Sequence, residues 1–270
     1  MATAPAGADA VTASARGSAS HAPWGGPELA ALLVGAVAWE VGGRALGSAL
    51  LPPLSSVLAA GGRLAARSEL LGALGLSLLS LAAGYGLATG GGLVVGALMG
   101  RSRLVEHALD MYVNALIAAP SLIFVPILFS TFGTGRRTQV AVIVMYAFPV
   151  IAASTATAVR SVDANLVQMA RAFGASHAHV LGKVVLPAAL PLAMVGLRVG
   201  MARAVKGMIS GEMLVALTGL GAALRTHGSR FDSEGVLAVL LVVVAVALFS
   251  TALVQWVDRR VNAWSRAEGT

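Results

Sequence analysis

Four charged side chains lie in a long apolar stretch near residue 200, where charge is unfavourable: Arg198, Arg203, Lys206 and Glu212. Arg203 and Lys206 are three residues apart, and Glu212 follows them. Residues three apart share one face of a helix, and a charge at the centre of a membrane-spanning helix costs about 2.5–3.5 kcal/mol. We therefore expect both cations to face inward. They either line a pathway that meets an anionic substrate, or pair with acids such as Glu212 and Glu40 and hold a bundle together. Glu40 is itself predicted to pair with Arg44, four residues on.

A polar segment at residues 168–187, QMARAFGASHAHVLGKVVLP, lies between two apolar stretches. Asp163 or Asn165 is placed to cap the N-terminus of a helix that leads into it. Gly174 is placed to end or bend that helix. A second short helical stretch, 177–185, then runs up to the Leu-Pro pair at which the next apolar stretch begins. The pattern predicts a helix–Gly–helix hairpin.

The first helix of this hairpin carries an apolar stripe that has few partners in its own chain. Four residues at helical spacing form the stripe: Leu166, Met169, Ala170 and Phe173. An amphipathic helix of this kind docks in a groove of a separate protein, or it lies on a membrane surface. Periodicity alone favours neither interpretation.

No motif in the chain predicts an enzyme. The chain has no cysteine, and no Ser/His/Asp set or pair of carboxylates identifies a catalytic cleft. The phosphate-binding pattern G-x-x-x-x-G-K-[ST] is absent, because Gly182-Lys183 is followed by Val184. His177 and His179 are two apart, so on a helix they point to different sides. We expect no catalytic residue, no metal site and no cofactor on this chain.

The composition of the whole chain indicates a membrane protein. Hydrophobic residues make up 57% of its 270 residues and charged residues only 11%, whereas soluble domains carry about 25% charge. Folded in water, the chain would expose a large apolar surface, which a bilayer solvates. Stretches long enough to cross a hydrocarbon core of about 30 Å as helices are placed at 28–50, 70–100, 104–132, 138–159, 188–216 and 236–257. The predicted fold class is all-α, with about six transmembrane helices.

Glycines and prolines within these stretches predict how the helices meet and bend. Gly92, Gly96 and Gly100 recur every four residues, and small residues at that spacing let two helices approach closely. Pro120 and Pro126 lie in the third stretch, where each removes a backbone hydrogen bond. They indicate a helix that lines a cavity or moves, or a static kink.

Basic residues predict the orientation of the chain. With the N-terminus inside, more Arg and Lys residues fall in inner segments than in outer ones, which favours cytoplasmic termini and a cytoplasmic hairpin. Residues 1–25 are predicted to be a disordered tail, residues 26–260 a transmembrane domain with its loop at 162–187, and residues 261–270 a second tail. The net charge of +7 is scattered, so no nucleic-acid partner is expected.

The hairpin resembles the cytoplasmic loop of ABC importer permeases. Their pattern is EAA, three residues, Gly, nine residues, Ile, any residue and Leu-Pro, and the chain reads QMA, three residues, G, nine residues, VV and LP. Gln replaces Glu, which keeps a hydrogen-bonding group and loses a charge. Further stretches resemble, in order, the nitrate/sulfonate/taurine-type permeases: LPPLSSVL, AAPSLIFVPILFSTFGTG and GLRVGMARAVKGMISGEMLVALTGLG.

The resemblance implies the permease of a binding-protein-dependent, type I ABC importer in a bacterial plasma membrane. The solute would be small and anionic, such as nitrate, an alkanesulfonate or taurine, although pyrimidine-type vitamin precursors are carried by some relatives. The implied partners are an ABC ATPase subunit that hydrolyses the ATP, an extracytoplasmic solute-binding protein and a second permease copy, as a homodimer.

The resemblance also implies which residues of the loop meet the ATPase: Gln168, Met169, Ala170, Arg171, Phe173, Gly174, Ala175, Leu186 and Pro187. Residues expected along the substrate pathway are Arg203, Lys206, Glu212, Pro120 and Pro126.

Two other functions stay open. A stand-alone secondary transporter or channel would show inverted repeats with broken helices in matching halves, and no convincing repeat relates residues 28–132 to 138–257. A membrane scaffold without transport is the other alternative. Full function after charge-neutral replacement of Arg203 and Lys206 would favour the scaffold.

Overall fold

The computed structural model of the chain describes residues 26–47, 50–214 and 218–262. Regular structure within these ranges is helical and includes no strand, which confirms the all-α prediction. A helix satisfies its own backbone N–H and C=O groups, as a segment in lipid must. The tail predicted at 1–25 lies outside the described residues, and so does the tail at 261–270 except for Val261 and Asn262.

The chain divides into two compact units, Met1–Leu54 and Ser55–Thr270. In the first unit, helix α1 spans Gly26–Leu46. Glu40 and Arg44 form the predicted ion pair on this helix, with 2.6 Å between Oε1 and Nη2. The indole N–H of Trp39 donates to the carbonyl of Pro52 at 3.1 Å, so the segment that follows α1 is tied back to the helix.

The second unit contains the remaining helices, the first of which begins at the boundary between the units. In chain order they are α2 (Leu54–Ala66), α3 (Glu69–Arg101), α4 (Arg103–Ala118), α5 (Val125–Phe132), α6 (Arg136–Arg160), α7 (Ala164–Ala172), α8 (His177–Val180), α9 (Leu186–Leu214), α10 (Leu220–Ser229) and α11 (Ser233–Val261). A 3-10 turn, Ser121–Phe124, precedes α5, and a π-helical turn, Leu181–Val185, joins α8 to α9.

Five of the described helical segments are long and apolar enough to cross a membrane. They correspond to α1, α3, α6, the continuous α8–α9 segment and α11. A sixth span results if α4 and α5 are counted together, although they meet at an angle of 100°. This confirms the prediction of about six spanning helices.

The third predicted stretch, 104–132, is not one helix. Ala119 is extended, with ψ of 138°, because the ring of Pro120 disfavours the helical conformation in the residue before it. Pro126 lies in the first turn of α5. The N–H groups of a first turn have no acceptor within the helix, so a proline there costs no helical hydrogen bond. The two prolines therefore end one helix and begin another, which is a larger change than a kink.

Helix α6 is the centre of the second unit, because it packs against α3 on one side and α9 on the other. The glycine seam predicted in α3 faces α6. A Cβ on Gly96 would lie 2.6 Å from the Cβ of Thr155, and one on Gly100 would lie 2.6 Å from the Cβ of Val159. On the opposite side, a Cβ on Gly200 of α9 would meet the Ile151 side chain at 2.5 Å. Only glycine permits these approaches.

Candidate functional site

Helix α7 has the two ends that the sequence predicted. Asp163 caps its N-terminus, because the carboxylate accepts the N–H of Asn165 at 2.8 Å; Asn165 lies inside the helix. At the C-terminus, Gly174 takes a left-handed conformation with φ of +80°. The N–H of Ala175 then donates to the carbonyl of Ala170 at 3.1 Å, a bond that closes a glycine-terminated helix. Hydrogen bonds between residues close in sequence therefore set both ends of α7, the first arm of the hairpin.

The second arm of the hairpin is continuous with a spanning helix. Ser176 caps α8 by accepting the N–H of His179 at 3.3 Å. From there the helix runs through the π-helical turn into α9, so the apolar segment extends over His177–Leu214. The wider turn comes immediately before Pro187, which has no N–H to donate to the preceding turn. The predicted separate stretch at 177–185 is thus the beginning of α9's own span.

The predicted apolar stripe is exposed. Met169 is 54% exposed and Phe173 86% exposed, and α7 has no buried residue. Between the two arms lies a groove of about 340 Å³, lined by Leu166, Met169, Ala170, Phe173, Lys183, Val184, Pro187 and Ala188. We call these eight residues the hairpin groove. Gln168 and Arg171 are exposed beside it.

Arg203 and Lys206 are exposed on α9. In the part of the chain that the structure describes, neither has an ion-pair partner. Arg198, one turn earlier on the same helix, does pair with Asp258 of α11, 2.8 Å away. The structure therefore places the predicted cation pair on an open face of α9.

Glu212 does not accompany these cations, because it is completely buried. Its Oε1 accepts a hydrogen bond from Nε2 of Gln139 on α6. Its Oε2 accepts the backbone N–H of Gly221 on α10 at 2.7 Å. Ser80 of α3 extends the chain of bonds by donating to Oε1 of Gln139 at 2.9 Å, and Ser77 accepts the N–H of Leu220 at 2.9 Å.

We call Ser77, Ser80, Gln139, Glu212 and the two backbone N–H groups the Glu212 network. Of these side chains, only Glu212 stands out in the sequence, as a charge in an apolar stretch. Ser77 and Ser80 are three residues apart in the run LSLLSLA, and this spacing of polar side chains in an apolar helix was the available signal.

An open groove of about 970 Å³ with several charged side chains runs along α4 as far as Ala118, the last residue of that helix. Its residues are Arg103, Glu106, His107, Asp110, Met111, Asn114, Ala115, Ala118 and Arg160. Glu106 pairs with Arg160 of α6. Among the described residues no group of three His, Cys, Asp or Glu side chains is arranged to hold a metal ion.

The turn between α10 and α11, at the opposite end of α9 from the hairpin, presents an aromatic side chain. Phe231 is 90% exposed and has a φ of +55°, a conformation that residues other than Gly and Asn rarely adopt. Asp232 fixes the turn: one carboxylate oxygen accepts the N–H of Gly235 at 3.0 Å, and the other lies 2.7 Å from Nδ1 of His227. The Gly235 bond is the main reason why the pKa of Asp232 lies below its usual value, with His227 and Arg63 adding to the effect.

Two cations flank this turn without an ion pair among the described residues. Arg67 and Arg230 both line a cavity of about 250 Å³. The nearby Arg63 is already paired with Glu234, 2.9 Å away. The surface therefore keeps an excess of positive charge beside an exposed aromatic ring.

A family model described as "Binding-protein-dependent transport system inner membrane component" matches residues 92–263. The matched range includes the hairpin, the cations of α9 and Glu212. It covers more than half of the chain.

Named relatives are similar over more than half of the chain. A protein of Brucella melitensis, whose name describes a probable ABC transporter permease, is 28% identical over 88% of this chain and 97% of its own length. The taurine transport system permease protein TauC of Escherichia coli is 31% identical over 64% of this chain and 63% of its own length. The nitrate import permease protein NrtB of Synechococcus elongatus is 29% identical over 71% of this chain and 70% of its own length.

Among solved structures, a chain of the MetNI methionine ABC transporter in an inward-facing conformation is similar to this chain. The TM-score is 0.60 at 21% identity, over 72% of this chain and 94% of that chain. At this identity the similarity concerns the fold. It confirms the predicted permease fold.

Proposed function

The chain belongs to the binding-protein-dependent transport system inner membrane components, among the nitrate-, sulfonate- and taurine-type permeases of ABC importers, and we propose that it couples inward movement of a small anionic solute to ATP hydrolysis on a separate subunit. The observation that carries this proposal is the exposed apolar hairpin between α6 and α9. It offers a partner protein a groove and two large side chains, Met169 and Phe173, that are mostly uncovered.

The hairpin groove suits an ATPase subunit because it combines a preformed cavity with an aromatic anchor. Buried aromatic side chains at the centre of an interface commonly carry most of the binding free energy. Lys183, at the edge of the groove, offers a charge to the rim of the interface. Because the second arm is continuous with α9, a displacement of the hairpin by the ATPase moves the helix that carries Arg203 and Lys206.

The cations of α9 are the elements that we propose for the solute pathway. A charge facing lipid near the membrane centre costs about 2.5–3.5 kcal/mol, so two exposed and unpaired cations on one helix face call for an aqueous surrounding. A second copy of the permease, packed across this face, encloses such a pathway. The pathway then attracts anions, which agrees with nitrate, sulfonate or taurine as the solute class.

The groove along α4 and the break at Pro120 and Pro126 extend the proposed pathway. A helix broken at this angle is tolerated in a membrane where its free backbone groups line a cavity. The groove holds carboxylates as well as guanidinium groups. With charges of both signs, the groove suits the passage of a hydrated anion better than tight binding of one.

The turn that presents Phe231 is the surface that we propose for the extracytoplasmic solute-binding protein. This turn and the hairpin lie at opposite ends of α9, so a cytoplasmic hairpin puts Phe231 outside. Arg67 and Arg230 suit a partner with an acidic rim, since complementary charge steers association. In this arrangement both termini are cytoplasmic and the chain is a multi-pass protein of the bacterial plasma membrane.

Two aromatic variants test docking on the two sides of the membrane. The chain is co-expressed with a cognate ABC ATPase subunit, and co-purification of the ATPase is measured for Phe173→Ala and Phe231→Ala. Loss of an interface anchor costs about 2 kcal/mol or more, which is roughly a 30-fold weaker complex. We expect this loss for Phe173→Ala only. Full ATPase yield with Phe173→Ala and Met169→Ser combined would refute the docking proposal.

The absence of cysteine makes the orientation directly testable. A single cysteine replacing Ser176 or Ser229 is exposed to a membrane-impermeant maleimide from one side only. The labelling is done on intact cells whose outer envelope lets the reagent reach the plasma membrane. We expect Ser229→Cys to react in these cells and Ser176→Cys to react only after the cells are lysed. The opposite pattern would place the hairpin outside and contradict coupling to a cytoplasmic ATPase.

A further inference from the structure

Four helices meet at Glu212, whose carboxyl group the proposed pathway and the two proposed docking surfaces do not use. Glu212 belongs to α9, Gln139 to α6, Ser77 and Ser80 to α3, and the bound N–H groups to the first turn of α10. All of these residues lie close to the ends of α3, α6 and α9 that we propose face outward. The inference drawn here rests on that orientation and on the permease function.

The burial of Glu212 is unusual for a carboxyl group in a spanning segment. It is completely buried, and no Lys or Arg of the described ranges pairs with it. An unpaired buried carboxylate is strongly unfavourable unless it is fully hydrogen-bonded. Here both oxygens accept N–H groups, as the acceptor-only ionised form of a carboxyl group requires. Ionisable residues inside membrane-spanning segments are usually functional. We therefore infer that the hydrogen bonds of Glu212 have a role that an apolar side chain could not replace.

Residues 219–221, where α10 begins, pack closely around this carboxyl group. Gly219 has a φ of +97°, and a Cβ there would lie 2.6 Å from Cδ of Glu212. A Cβ on Gly221 would lie 2.5 Å from Cβ of Glu212. Leu220, between the two glycines, is completely buried. The turn can approach Glu212 only because both flanking residues are glycine.

We propose that Glu212 is a positioning residue that holds α10 in place and so closes the outer end of the permease. Its carboxyl joins the first turn of α10 to Gln139, which is itself fixed by Ser80 of α3. Helix α10 in turn forms one wall of a cavity of about 510 Å³, to which Ala222, Thr226 and Arg230 contribute. It also leads directly to the Phe231 turn. Release of the Glu212 network frees α10 to move away from α3 and α9.

Exchanging the side chains of Gln139 and Glu212 distinguishes a hydrogen-bonding role of Glu212 from a role in packing alone. Glu212→Gln keeps the size of the side chain but sets an NH₂ group against one of its two donors. In the double variant Gln139→Glu/Glu212→Gln, the carboxylate introduced at position 139 accepts from Ser80 and from the amide introduced at position 212. The carbonyl oxygen of that amide accepts the N–H of Gly221. Every bond that positions 139 and 212 make in the Glu212 network is then restored, and only the bond between these two side chains has its donor and acceptor exchanged. A purely steric role predicts no difference between the single and double variants.

The readout is the reactivity of Ala222→Cys, introduced in the full chain within the assembled transporter, toward a membrane-impermeant maleimide. Ala222 is buried on α10, and Ser229→Cys, exposed at the end of the same helix, is the control that labels equally in all variants. We expect Glu212→Gln to raise the labelling rate at Ala222→Cys about tenfold and the double variant to return it to within about twofold of the parent.

Two results would overturn the proposal: unchanged labelling in Glu212→Gln, or a double variant that folds and labels like the single one. Should Glu212→Gln fail to accumulate, Ser77→Ala is the second variant: it removes the hydroxyl that accepts the Leu220 N–H and is expected to raise labelling in the same direction. No rise would equally overturn the proposal. Labelling needs neither solute nor ATP. Failure of the proposed transport function is seen separately, as loss of ATPase co-purification or solute uptake with the parent chain.

Discussion

Gln139 donates its Nε2 hydrogen to Oε1 of Glu212 and so joins α6 to α9, although 73 positions separate the two residues. Both are buried, and Ser80 orients the amide of Gln139 by donating to its other end. A polar contact inside a helical bundle fixes how the helices align along their axes, because sliding either helix by one turn would break the bond between these two buried groups. The same glycine-rich faces that let α3, α6 and α9 approach closely would permit such sliding.

The seam between α3 and α6 gives a first prediction. Gly96→Val places its Cβ against Thr155, so we expect a loss of about 1–3 kcal/mol in stability and a clearly lower Tm of the purified protein. Gly86→Val, on the same helix but with no atom within 4 Å of its Cβ, is the matched control with the same change in helix propensity. Equal Tm values for the two variants would show that close approach at Gly96 is not needed.

The cations of α9 give a second prediction. Replacing both Arg203 and Lys206 by Gln is expected to lower uptake of an anionic solute roughly tenfold or more while the ATPase still co-purifies, since neither cation belongs to the hairpin groove. Arg225→Gln, which neutralises an exposed cation of α10, is the control. Uptake at the parent level in the double variant would remove the cations from the pathway and favour a scaffold.

The turn before α11 gives a third prediction, on pH. Because the folded-state pKa of Asp232 is lowered, its hydrogen bonds stabilise the fold above the ordinary value of 3.8, and this contribution is lost as the pH falls through the lower folded-state pKa. We expect the difference in Tm between the parent and Asp232→Ala to be greatest near neutral pH and to shrink below about pH 4. Ser229→Ala, without a titratable group, should show a constant difference; a constant difference for Asp232→Ala too would contradict the prediction.

The conformation of Phe231 gives a fourth prediction, which separates stability from recognition. Gly and Ala both remove the aromatic ring, but only Gly adopts a positive φ without strain. We therefore expect Phe231→Gly to be more stable than Phe231→Ala by about 1 kcal/mol, measured by thermal unfolding. Stimulation of ATPase activity by the binding protein should fall equally in both variants. If Phe231→Gly keeps full stimulation, the ring is not a contact for the binding protein.

The features of this protein that depend on neighbours a few positions away could be predicted from its sequence. The lengths of the apolar stretches predicted the spans, because a helix in lipid needs only its own backbone groups as partners. The hairpin was predictable because Asp163 and Gly174 act on the residues next to them. The prolines at 120 and 126 marked a disturbance for the same reason, and the glycines of α3 marked a close contact.

Packing between helices settles which helix fills that contact, how far the chain turns after Pro120, and where the charged side chains lie, and none of these could be predicted from the sequence. Glu212 and Lys206 are six positions apart on one helix, yet one is buried and the other exposed, because the helix has different neighbours around it. Gln139 became visible as the partner of Glu212 only once α6 and α9 were side by side. Burial and long-range hydrogen bonds depend on where separate helices meet, and periodicity within one helix carries no information about that.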